Sequence, residues 1–392
     1  MMKKPFYQLE QPQEIIRQFT PNWFTMTMGT GVVALILPEL APNHSGLWLL
    51  AQSLWQLNTL LFIVFTLLYL LRWLIYPTEA KQIFSHPSMG LFLGAIPMGL
   101  ATVLNGFLKF GFPIYGEVAI QIAHWLWYID ISLAVAIGIG VPFCMFSRQE
   151  HHLHQMTAVW LLPIVACEVA ATSGGLLLHY LPANGQSLAI LLGSYTLWGM
   201  SVLPAFAILT ILMLRLALHQ LPGKELAITG WLALGPIGTG ALALLVLGNE
   251  AQPLLAQFGL IDFGTALKQL GLFSSLVLLG FGFWWFAIAV LITLSHLKNR
   301  LPFNLGWWAL TFPLGVFTLA IFNLAQQMQL ELIRNIGLGF ASILIVLWSM
   351  VMLKTLVGIY NGGLFFSPCL KSFLEQTTPA CNTLVQDKAT ND

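Results

Sequence analysis

Apolar residues along the chain gather into ten long runs separated by short polar connections. The runs cover roughly 20–37, 47–74, 88–106, 117–146, 157–178, 186–218, 225–247, 264–297, 304–324 and 332–356. A helix needs about 20 apolar residues to cross ~30 Å of hydrocarbon, so each run predicts a membrane span. Several even-numbered runs exceed that length, which allows tilt or extension past the bilayer. The odd-numbered runs are shorter and richer in Pro, Gly, Thr and Asn. The pattern predicts an all-α integral membrane protein of ten transmembrane helices, arranged as five helical hairpins around a central pore.

A proline stands at or near the start of the apolar part of every odd run: Pro21, Pro97, Pro163, Pro236 and Pro313. Successive intervals are 76, 66, 73 and 77 residues, about one hairpin each. Three of these prolines have a glycine two places on, at Gly99, Gly238 and Gly315. Self-similarity at a fixed period is the mark of a repeated structural unit. Proline removes a backbone donor and clashes with a preceding carbonyl, bending a helix. Broken backbone at membrane depth is tolerated where it is buried in protein or lines a wet cavity. A single proline–glycine interruption reads more readily as close helix packing than as pore lining. Five at matching intervals reverse that preference and predict five bent staves around a pore, with the longer even helices as an outer wall.

Charge sharpens this picture. Only 8% of residues are charged and 57% are hydrophobic, whereas a soluble domain carries about 25% charge. Thirteen of the 16 Lys and Arg residues fall at the N-terminus, in or beside even-numbered connections, or after the last span. Lys109, Lys268 and Arg334 remain for the other side. The positive-inside rule then places both termini in the cytoplasm, in an inner or plasma membrane. The domains predicted are a cytoplasmic segment 1–19, a ten-helix transport domain 20–357 and a cytoplasmic tail 358–392. Residues 1–19 are polar and lack the apolar core of a cleavable signal. Arg72 and Arg215, near cytoplasmic helix ends, read as side chains that snorkel to headgroups. No basic run suggests nucleic acid as a partner. The four cysteines, Cys144, Cys167, Cys369 and Cys381, show no zinc spacing and no secreted disulfide framework.

The polar residues of the odd runs include Thr25, Thr102, Thr239 and Thr318, which are the candidates for pore lining. Neither Lys nor Arg occurs in the apolar parts of these runs, and no carboxylate ring suits a cation path. Hydroxyls and loosened backbone N–H groups bind an anion shallowly enough to release it. Glu168 is the sole carboxylate well inside an odd run, and Asp130 lies mid-span in an even one, six residues after His124. Intramembrane ionisable groups are functional candidates by default. A proton relay through His124, Asp130 and Glu168 is one reading; interhelical hydrogen bonding is the other, and is preferred. The histidines of "HHLH", His151, His152 and His154, read as a solvated titrating patch, with no metal assigned. Trp125, Trp127, Trp284, Trp285, Trp307 and Trp308 suit interface belts or helix packing. Neither H-E-x-x-H nor G-x-S-x-G is present, and no cofactor motif was found, so transport is favoured over catalysis.

Two stretches carry a resemblance. "FTPNWFTMTMGTGVVALIL" (19–37) and "FNLGWWALTFPLGVFTLA" (303–320), and more weakly "GAIPMGLATVLNG" (94–106), resemble the tellurite-resistance/dicarboxylate transporter family. That family includes plant slow anion channels, fungal malate carriers and fungal sulfite exporters. The resemblance implies a homotrimer whose protomers each hold a pore of five inner helices. It also implies a pore-plugging phenylalanine on the ninth helix, which by motif falls on Phe312, directly before Pro313. The cargo expected is a small inorganic anion such as sulfite or bisulfite, nitrate or chloride. The alternative is a proton-linked carrier of C4-dicarboxylates such as malate, although the odd runs offer no arginine for a bidentate carboxylate contact. A membrane-embedded enzyme is the remote third reading.

Overall fold

The computed structural model describes residues 4–9, 11–297 and 301–377. Lys3, Lys298, Arg300, Cys381 and Lys388 lie outside the described residues. Ten helices are long and apolar enough to cross a membrane: Pro21–Leu40, Ser45–Ile75, Gly90–Tyr115, Glu117–Arg148, Ala158–Leu178, Gly185–His219, Ala227–Ala256, Ile261–His296, Leu305–Met328 and Glu331–Asn361. Each predicted span falls on one of them. The third and seventh continue beyond their apolar runs, the third through a π-helical turn at Phe107–Gly111.

Burial divides the spans by parity. In their apolar windows the odd spans are 89, 72, 94, 89 and 83% buried, and the even spans 17, 22, 33, 28 and 22%. The first span packs on the third, the third on the fifth, the fifth on the seventh, the seventh on the ninth, and the ninth back on the first. Every odd span also packs against the even span that follows it. This is the contact pattern of five hairpins closed into a ring, with the odd helices inside.

The recurrent prolines take a specific place in this ring. Each odd span enters through a 3-10 segment and continues as an α-helix: Pro21–Trp23 into Phe24–Leu40, Gly90–Gly94 into Ala95–Gly106, Ala158–Leu161 into Leu162–Leu178, Ala227–Ala233 into Leu234–Ala256, and Leu305–Leu310 into Phe312–Met328. Pro97, Pro163, Pro236 and Pro313 occupy the first turn of the α segment, and Pro21 opens its 3-10 entry. In a first turn the missing N–H has no intrahelical partner to lose. The interruption is therefore a change of helix type at the entry and not a break within one α-helix.

The glycines that follow serve the seams between staves. A Cβ on Gly238 would lie 2.6 Å from the backbone nitrogen of Phe317, and one on Gly315 would lie 2.5 Å from Val32 Cγ1. Small residues allow the close backbone approach that holds helices together where lipid supplies no hydrophobic drive.

Both described chain ends share one face. Phe6 N–H donates to Tyr360 O (2.7 Å) and Gln8 N–H to Asn361 O (3.2 Å). Arg17 binds Glu79 through two hydrogen bonds of 2.8 and 2.7 Å, and chiefly for that reason its guanidinium holds its proton more tightly than usual. Arg72 and Arg215 depart from the snorkelling expected of them. Arg72 is 1% exposed and donates to Phe19 O (2.5 Å), Ser367 Oγ (3.3 Å) and Cys369 Sγ (3.6 Å). Arg215 donates to His154 O (2.8 Å) and Gln220 O (2.6 Å). Acceptors from neighbouring segments take up both guanidinium groups, so both arginines clamp connecting segments.

Candidate functional site

Three cavities are strung along the ring. The first, about 520 Å³, opens on the face that carries the chain ends, and its walls come from the starts of all five inner spans: Asn22, Phe92, Val159, Thr229 and Leu305 each contribute. One turn deeper, a void of about 20 Å³ is walled by Thr25, Met28, Leu162, Leu232, Trp308 and Phe312. On the far face a vestibule of about 550 Å³ is walled by the ends of the same five spans, including Leu35, Asn105, Gly175, Leu242 and Asn323. Residues 314–318 of the ninth span line none of the three. At 1.5 Å per residue the closed section between Pro313 and Leu319 is roughly 9 Å long. The two large cavities thus lie at opposite ends of the inner ring, with the small one beside the first.

Phe312 lies at the smallest of these three cavities. It is 4% exposed, immediately precedes Pro313 at the first turn of the α segment, and walls the throat together with Thr25. Thr25 donates to Asn22 O (2.6 Å), which ties its hydroxyl to the vestibule rim. The other three lining candidates sit elsewhere. Thr102 donates to Gly99 O (2.8 Å) and accepts from Asn58 Nδ2 (3.1 Å), joining the third span to the second. Thr239 donates to Gly235 O and Thr318 to Leu314 O, each within its own helix. None of these three lines the cavities described. The choice by helix and polarity alone lacked the rotational phase that decides which face a side chain takes.

Backbone direction distinguishes the two ends. All five inner helices begin at the vestibule on the chain-end face and run toward the far one, where the first, fifth and ninth finish while the third and seventh continue past it. Helix N-termini carry partial positive charge and C-termini partial negative charge, so the first vestibule is biased toward anions by backbone alone. Its described walls hold Glu225, His151 and His152. His151 is held below its ordinary pKa first by burial and then by neighbouring His152. His86, close by in sequence to the Pro87–Met89 wall, is lowered by burial.

The far vestibule holds charges that sequence reading had set aside. Lys109, in the π-helical turn, donates to Leu35 O (2.9 Å) and Glu39 Oε1 (2.7 Å). Lys268 donates to Gln252 Oε1 (3.1 Å), and His179 Nδ1 lies 3.5 Å from Glu250 Oε1. Lys109, Lys268, Glu39, Glu250 and His179 all line the cavity. Lys109 was visible as a basic residue left over on the minority side; its place just past the apolar run was the available signal.

Glu168 and Asp130 lie away from the three cavities. Both are fully buried, and no donor among the described residues reaches any of their four carboxyl oxygens. Gly240 of the seventh span faces Glu168, a Cβ there falling 3.5 Å from Oε2, with Val202 of the sixth span beside it. Glu168 therefore sits in the seam behind the inner ring. His124 stacks on Tyr128 at 4.9 Å and approaches Gln186 Nε2 at 3.5 Å near the far end of the fourth span. The tryptophans divide: Trp127, Trp285 and Trp308 donate to Ala170 O, Gly230 O and Thr355 Oγ1 in helix packing, whereas Trp125 and Trp284 are exposed on the outer wall.

Comparison with known proteins accords with this architecture. The sulfite efflux pump SSU1 of Arthroderma otae is 36% identical over 347 residues, covering 87% of this chain and 90% of the pump. An uncharacterized transporter of Methanocaldococcus jannaschii is 28% identical over 358 residues, covering 91% of this chain and 98% of its own. The malic acid transport protein of Schizosaccharomyces pombe is 24% identical over 362 residues, covering 90% and 80%. Residues 18–356, which reach from before the first helix into the last turns of the tenth, match the SLAC1 family, voltage-dependent anion channels, and the chain belongs to that family.

Proposed function

We propose that this protein is an anion channel or exporter that moves small inorganic anions, sulfite or bisulfite foremost, through the ring of inner helices with Phe312 as its gate. The observation that carries the reading is the pair of vestibules at opposite ends of one closed ring, separated by a throat walled by Phe312. Convergence of five helix N-termini on the chain-end vestibule favours anion entry there. The bias of basic residues toward that face supports a cytoplasmic location for both termini in an inner or plasma membrane. Cargo would then enter from the cytoplasm, the direction in which a sulfite efflux pump works. Thr25 supplies a shallow contact at the throat, and the protein acts as transporter and not as enzyme. A trimer follows from the family resemblance and leaves each protomer its own conduit.

The test is reconstitution. Liposomes bearing the protein are assayed for release of sulfite, nitrate, chloride and malate, with and without a pH gradient. Release of inorganic anions that ignores the gradient supports the channel. Release of malate that tracks the gradient overturns it in favour of the proton-linked carrier. That second reading has one structural observation behind it, the donor-free carboxyl groups of Glu168 and Asp130 inside the membrane-spanning helices.

A further inference from the structure

The far vestibule poses an electrostatic problem. An anion leaving the throat arrives among the C-termini of the first, fifth and ninth inner helices, at Leu40, Leu178 and Met328, whose carbonyl ends repel it. A conduit that binds anions at one end and rejects them at the other would conduct poorly, since transit needs a path without a deep barrier. Against that field the vestibule offers two local cationic contacts, set beside the carboxylates Glu39 and Glu250. Lys109 and Lys268 both line it. Lys109 Nζ carries three donors, of which two go to Leu35 O and Glu39 Oε1. Lys268 Nζ donates to Gln252 Oε1, its one acceptor among the described residues. Each lysine retains a donor for a passing anion.

A second observation concerns acceptors. Gln327 lines the same cavity, and its Nε2 donates to Leu245 O (3.0 Å) and to Asn323 Oδ1 (2.9 Å). Two carbonyl acceptors on one nitrogen fix the orientation of the amide. Gln327 Oε1 is then an acceptor that no donor among the described residues reaches, and Asn105 Oδ1, also at this cavity, is in the same state. Enclosed acceptors without donors are costly. Chloride and nitrate bring no donor to relieve them. A singly charged oxyanion that keeps one O–H brings both a negative charge for the lysines and a donor for an amide oxygen.

We infer that the far vestibule is a second anion-binding station selective for monoprotonated oxyanions, the chemical class of bisulfite and hydrogencarbonate. Lys109 and Lys268 hold the charge, and Gln327, with Asn105, accepts the O–H. The inference rests on the transport reading, and it assigns selectivity to the exit end of the conduit instead of the throat.

The experiment compares bisulfite and nitrate release from liposomes at mildly acid pH, using the full chain and the variants Lys109→Gln, Lys268→Gln, Gln327→Met and Asn105→Leu. Each lysine variant should raise the half-saturating concentration of both anions by about tenfold, the loss of one charged contact. Gln327→Met and Asn105→Leu should each cut the bisulfite-to-nitrate preference by about fivefold. Two amide variants are used because Gln327 also ties the seventh span to the ninth. An unchanged preference in whichever of them elutes as folded protein overturns the inference while transport stands. Wild-type protein that passes no anion overturns the transport reading instead. The station then stands or falls on whether bisulfite, more than nitrate, raises the melting temperature of detergent-solubilised protein in a Lys109-dependent way.

Discussion

The inner and outer spans cross the same hydrocarbon, yet they obey different rules. Mean hydropathy in the odd spans runs from 1.3 to 1.8 and in the even spans from 1.9 to 2.3, so the less apolar helices are the buried ones. That order is the reverse of a soluble protein, where the most apolar surface goes inside. Lipid tails are as apolar as leucine, so nothing pushes leucine inward, and packing with interhelical hydrogen bonds decides what is enclosed. Two glycines, one from each wall, show the extremes of packing. Gly238 on the inner ring meets the backbone of Phe317, whereas Gly280 on the eighth span has open space beside it.

That contrast breaks most sharply if the same substitution is made on both sides. Gly238→Val should cost about 3 kcal/mol or more through overpacking and leave little folded protein. Gly280→Val should stay within about 0.5 kcal/mol of wild type. Thermal melts in detergent check both, and equal losses would mean that the two walls are not distinct. Next in size, Phe312→Ala should raise anion release by about tenfold, a barrier lowered by ~1.4 kcal/mol, with assembly intact on size-exclusion chromatography. Unchanged release from well-folded protein removes Phe312 from the gate.

Two finer tests concern the titratable groups. Glu168→Gln, in the seam behind the inner ring, should alter release by less than about twofold if transport is uncoupled from protons. Loss of gradient-driven transport would move the functional centre into that seam. His151 gives the smallest effect. Its pKa is lowered in the folded protein, so below the ordinary histidine value of ~6.5 the unfolded chain takes up a proton that the folded one resists. Stability should therefore decline as pH falls from about 7 toward the lowered pKa, and His151→Gln should flatten that decline by less than about 1 kcal/mol. Melting temperatures across that range check the sign.

Particular residues show how far the sequence could be read. The five prolines at near-equal intervals identified the inner spans, because the demand for a helix start recurs once per hairpin and leaves a one-dimensional trace. The Phe-Pro-x-Gly motif led to Phe312, which walls the throat. Thr102 did not follow: its bond to Asn58 depends on the rotation of one helix against another, which polarity alone does not encode. Arg72 was read as a headgroup contact, yet it is enclosed by Phe19, Ser367 and Cys369, from segments as far as 297 residues away. Lys109 was counted for orientation only, since nothing local reveals that it meets Glu39 at the mouth of a cavity.

From its amino acids alone, this chain determined that ten helices cross a membrane and which five are enclosed. Hydrophobic length and proline spacing are properties of neighbouring residues, legible in order along the chain. Tertiary structure decided where the cavities of the ring lie, which polar groups meet at the far one, and that Glu168 stands in a seam away from all three. Those outcomes depend on the rotation and register of helices packed around a common axis, set by steric fit between residues dozens to hundreds of positions apart.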